Sequence, residues 1–64
     1  MAKVEMDQGK VVRQLKAEGW ELIRHGKEHD VYAHATVKGT VTVPRHRKLS
    51  PGVARSIAKA AGWI

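Results

Sequence analysis

Three of the four histidines in the 64-residue sequence fall in one stretch, RHGKEHDVYAH, from Arg24 to His34. An imidazole titrates near neutral pH, so it can ligate a metal or move a proton during turnover. Metal binding fits poorly. His25 and His29 are four apart, but Gly26 and a turn separate them, so they do not share a helix face. His29 and His34 are five apart on one predicted strand and point to opposite faces. Asp30 adjoins His29 and also points the other way. There is no cysteine and no HExxH, and zinc needs three or four convergent ligands. No metal and no cofactor is expected. Acid–base chemistry centres on His29, where a hairpin enters its second strand with cations nearby in sequence. From spacing alone a solvated turn histidine explains the same residue, because one imidazole does not make an active site. Ser50 and Ser56 read as a helix cap and an exposed helix position. No glycine-rich phosphate loop occurs.

A second stretch, PRHRK (Pro44 to Lys48), leads into the start of a helix. Arg45, Arg47 and Lys48 can contact phosphates there, and His46 is a candidate second proton-transfer group. A solvated loop is the plain alternative. Net charge is +6, from twelve Lys and Arg against six Asp and Glu. Residues 24–48 hold six of those cations and only two anions. Such a balance favours nucleic acid or acidic protein surfaces. No apolar run approaches the ~20 residues of a membrane span, and no signal-peptide core is read at the N-terminus. The expectation is one small cytoplasmic domain with no membrane association.

The elements that must hold these residues follow from local signals. Residues 1–6 read as a short arm. Asp7 caps a helix over about Gln8 to Glu18 with Val11, Val12 and Leu15 as its apolar stripe, and Gly19 stops it. Trp20 to Arg24 and His29 to His34 read as strands joined by a turn containing Gly26. Val37-Lys38-Gly39 makes the next turn, and Thr40 to Val43 alternates as a third strand that Pro44 ends. Ser50-Pro51 starts a second helix, with Val53, Ala54, Ile57, Ala58 and Ala61 on its apolar side. Gly62 ends that helix, and Trp63-Ile64 is predicted to fold back as a clasp. The order is α-β-β-β-α. Three antiparallel strands need one face covered, and two amphipathic helices can cover it. The predicted class is α+β, a two-layer sandwich with both helices on one face of the sheet.

These motifs in this order resemble the HicA toxins of bacterial type II toxin–antitoxin modules. The similarity runs from about Asp7 to Trp63. It rests on L-x-x-x-GW (Leu15 to Trp20), on His29 nine residues further, on Tyr32 and His34, on KGTVTVP (Lys38 to Pro44), and on LSPGVARSIAKAAGW after the basic loop. The resemblance implies a fold like a double-stranded-RNA-binding domain. It also implies a metal-independent endoribonuclease that cuts mRNA, and a HicB antitoxin that neutralises it by covering the active face. The family's catalytic histidine lies at the start of the second strand within Gly-Ser-His, which corresponds to His29. Lys27 and Glu28 stand where that glycine and serine usually stand, with the glycine one place early at Gly26. Glu28 either repels the substrate phosphate or supplies a second acid–base group.

On this reading His29 is catalytic, with His46 or Glu28 as a second acid–base group. Lys27, Lys38, Arg45, Arg47 and Lys48 contact RNA, while His25 and His34 are bystanders or RNA contacts. The rival is a non-catalytic RNA-binding module of the same fold.

Overall fold

The computed structural model describes residues 4–64, so residues 1–3 of the expected arm lie outside the described residues. Five elements follow in the order α1 (Gln8–Ala17), β1 (Trp20–His25), β2 (His29–His34), β3 (Thr40–Pro44) and α2 (Pro51–Ala60). The predicted α+β class and α-β-β-β-α order are both observed, with element ends within one residue of expectation for the strands and α1.

Each end has a local cause. The Asp7 side chain accepts the Lys10 N–H at 3.1 Å and caps α1, satisfying one of the donors a helix start leaves open. Gly19, at φ +96°, takes the left-handed conformation that lets the chain leave α1 for β1. Ser50 Oγ accepts from Val53 N at 3.4 Å, and Pro51 occupies the first position of α2. At the far end of α2, Gly62 N donates to Lys59 O at 3.2 Å and Trp63 N to Ala58 O at 2.7 Å. This bond pair is the one expected when a left-handed glycine closes a helix. The predicted clasp is therefore formed by Trp63, which packs on the core. Ile64 takes no part and remains 51% exposed.

The strands form one antiparallel sheet in the order β1-β2-β3. Opposed residues share a face, so the pairs Trp20–His34, Leu22–Tyr32, Tyr32–Val41 and Asp30–Val43 define one side. Trp20, Tyr32, Val41 and Val43 are buried on that side. They pack with Val11 and Leu15 of α1, Ala54 and Ile57 of α2, and Leu49. The other side carries Glu21, Val31, Ala33, Thr40 and Thr42, all exposed or half-buried. One face is covered by helices and one is open, as the alternation in Thr40–Val43 requires.

Strand β1 departs from simple alternation. The register shifts between Leu22 and Arg24, leaving Ile23 as an extra residue. A bulge of this kind bends an edge strand and increases its twist. Leu22 and Ile23 are accordingly 47% and 59% exposed although both are bulky and apolar.

Candidate active site

The β1–β2 hairpin closes through Gly26 N donating to His29 O at 3.0 Å. A Cβ on Gly26 would stand 2.6 Å from that same carbonyl oxygen, so the backbone approach itself demands glycine. Lys27 and Glu28 form the exposed tip. The glycine one place ahead of the familiar motif is therefore the one this turn needs.

His29 is the first residue of β2 and opposes Pro44 of β3. Its neighbours in alternation are Val31 and Ala33, so its side chain belongs to the open face of the sheet. The residue is exposed, and none of the described side-chain hydrogen bonds uses its ring. Both ring nitrogens are thus open to a hydrogen-bonding partner.

The basic loop leaves the sheet beside it. Arg45 N donates to Glu28 O at 3.0 Å, which continues the β2–β3 ladder one step and fixes residues 28–29 against 44–45. Further on, Gln8 N donates to Arg47 O at 3.0 Å and Leu49 N to Met6 O at 2.7 Å. These bonds tie the loop to the segment before α1, with Asp7 and Lys48 bridged. Arg47 and Lys48 line an open groove with Lys10 of α1 and Val4, Glu5 and Met6. His46, just before Arg47, is exposed.

Not every expected site residue gathers here. Lys38 sits in the β2–β3 turn, at the opposite end of the strands from His29. His34 is at that far end as well and has a structural role in place of the bystander or RNA contact expected of it. Its Nε2 donates to Glu18 O at 2.8 Å, and its Nδ1 accepts from Thr36 N at 3.1 Å and Val37 N at 3.3 Å. A carbonyl can only accept and a backbone N–H can only donate, so these partners require the neutral Nε2–H tautomer. The ring also meets Trp20 edge-on at 5.3 Å between centroids. His34 thus joins the end of α1, the start of β1 and the β2–β3 turn.

His25 is likewise not an idle surface residue. Its Nδ1 lies 2.9 Å from Asp30 Oδ1, and Arg45 Nε reaches the same oxygen at 3.1 Å. These three side chains lie on the helix-facing side of the sheet, opposite His29. The Asp30 side chain is only 14% exposed. Tyr32, next on that face, has its phenol pushed above the usual value, first by burial and then by the Asp30 charge. Sequence reading weighed Asp30 only as a metal ligand, yet alternation with Tyr32 and His34 already put a carboxylate on the core side, where a charge needs a partner.

Among the described residues no three His, Cys, Asp or Glu converge as metal ligands. No helix among the described residues is long and apolar enough to cross a membrane.

Comparison with curated proteins returned no match. A family model described as HicA toxin of bacterial toxin–antitoxin matches residues 9–63. That span runs from the first turn of α1 through all three strands to Trp63, taking in the hairpin and the basic loop, and the chain therefore belongs to the HicA toxin family of bacterial toxin–antitoxin modules.

Proposed function

We propose that this chain, read as one HicA-like domain, is a toxin endoribonuclease that cuts mRNA in the cytoplasm without a cofactor. The observation that carries the reading is His29: an exposed, uncommitted imidazole at the mouth of a basic loop, in a chain of a toxin family. In this mechanism the 2′-hydroxyl oxygen attacks the adjacent phosphorus as the bond from phosphorus to the 5′-oxygen breaks. One acid–base group accepts the 2′ proton and another protonates the departing oxygen. His29 fills one role. Glu28 beside it, or His46 in the loop, fills the other. Lys27, Arg47 and Lys48 hold phosphates and stabilise the charge that develops during cleavage.

The antitoxin is taken to be a HicB-type protein that covers the basic face and so denies RNA access to His29. Partner and substrate then compete for one surface.

The test is cleavage of an oligoribonucleotide by purified wild type and His29→Ala, together with growth after induction of each. We expect the variant to lose at least a hundredfold in rate, the scale on which general acid–base catalysis acts, with folding and RNA binding retained. Equal cleavage by both proteins would remove His29 from the mechanism. The basic loop, which can hold phosphates whether or not a bond is cut, favours a second reading in which the domain binds RNA without cutting it. Binding by both proteins and cleavage by neither would establish that reading.

A further inference from the structure

We propose that Asp30 is a positioning residue for RNA binding: it holds the Arg45 guanidinium oriented toward a phosphate next to the one being cut. The proposal rests on the RNA-cleaving reading above.

Asp30 Oδ1 accepts from Arg45 Nε at 3.1 Å and lies 2.9 Å from His25 Nδ1. One carboxylate therefore joins the last residue of β1, the second residue of β2 and the first residue beyond β3. The backbone there is already set by the bonds Arg45 N to Glu28 O and Gly26 N to His29 O. What those bonds leave undetermined is the long Arg45 side chain, which carries substantial rotamer freedom. Asp30 takes its Nε and removes much of that freedom. A guanidinium has five N–H donors in a rigid fork. Only Nε is used in the described hydrogen bonds, so the four Nη hydrogens remain for an anion. The Arg45 side chain is 34% exposed while that of Asp30 is 14% exposed. The anchor is thus sheltered and the fork is accessible.

Facing decides which phosphate this fork serves. His29 is on the open side of the sheet, and Arg45 is on the side of Asp30 and Val43. The two side chains flank the end of the sheet from opposite faces. Arg45 therefore meets a neighbouring phosphate of the strand, where it contributes equally to bound substrate and transition state. Loss of such an interaction raises KM and leaves kcat unchanged.

Steady-state cleavage of an oligoribonucleotide by wild type, Asp30→Ala, Asp30→Asn, Arg45→Ala and the Asp30→Ala/Arg45→Ala double variant tests this, with each Tm measured alongside. Asp30→Ala and Arg45→Ala are each expected to raise KM about tenfold, the scale of a lost charge-assisted hydrogen bond, with kcat within about twofold of wild type. The double variant should be no worse than Arg45→Ala, because Asp30 acts through Arg45. Asp30→Asn, which keeps an acceptor oxygen, should recover part of the loss. Multiplying effects in the double variant, or a fall in kcat that follows the folded fraction at constant KM, would show Asp30 to be structural only and leave the nuclease reading intact. A wild type that neither cuts nor binds the oligomer would overturn both.

Discussion

The four histidines divide by what each ring touches. His29 enters none of the described side-chain hydrogen bonds, His25 leans on Asp30, His46 stands in the basic loop, and His34 is locked by three backbone groups and Trp20. Sequence spacing puts His29 and His34 on opposite faces, and this holds. It does not distinguish a free ring from a bonded one, because the partners of His34 come from Glu18, sixteen residues earlier, and from the turn that follows it. A prediction belongs to this scale. His34→Ala removes these hydrogen bonds and the contact with Trp20, and should destabilise the fold by about 1–3 kcal/mol. In a domain of this size that lowers Tm by roughly 10 °C. Thermal unfolding by circular dichroism reads it, with cleavage per folded molecule unchanged. A Tm equal to wild type would reduce His34 to a surface residue.

At the scale of elements, the boundaries were legible because their causes are local. Asp7, Gly19, Ser50-Pro51 and Gly62 act within one helical turn, and the alternation of Thr40–Val43 sets a strand without reference to other parts of the chain. The bulge at Ile23 was not legible, since an extra residue appears only when β1 is paired with β2. The hairpin that carries His29 depends on one glycine. Gly26→Ala would drive a methyl group to 2.6 Å from His29 O, so the turn must open. The expected cost is about 1–3 kcal/mol, as for overpacking, with a loss of cleavage beyond the loss of folded protein because His29 shifts. Specific activity corrected for folded fraction checks this. An unchanged corrected activity would mean that the turn tolerates the side chain and that His29 keeps its place.

For the whole molecule, charge is the property with the longest reach. The excess of cations in residues 24–48 is spread unevenly by the fold. Arg45, Arg47 and Lys48 leave the sheet next to His29, and Lys27 is at the hairpin tip. Lys38 is carried to the other end, where it can meet RNA only if the strand runs the length of the sheet. RNA affinity should fall with salt by ~0.7 logarithmic units per tenfold increase for each phosphate neutralised. Replacing Arg45, Arg47 and Lys48 together by glutamine should then reduce the slope by about 2. Titrations of a labelled single strand at several salt concentrations give the slope. An unchanged slope would place the RNA elsewhere.

Composition, caps and periodicity were enough for the class of fold and the order of its elements, because each of these depends on residues close together in the chain, whereas His29 was singled out by the family resemblance. The joining of Asp30 to His25 and Arg45, the bracing by His34 and the attachment of residues 47–49 to residues 6–8 became visible only in three dimensions. They bring together side chains and backbone groups from separate segments, and no local pattern encodes which segments will meet. Packing of the helices on one sheet face is what sets those meetings, and it thereby leaves the open face and the hairpin end free for chemistry.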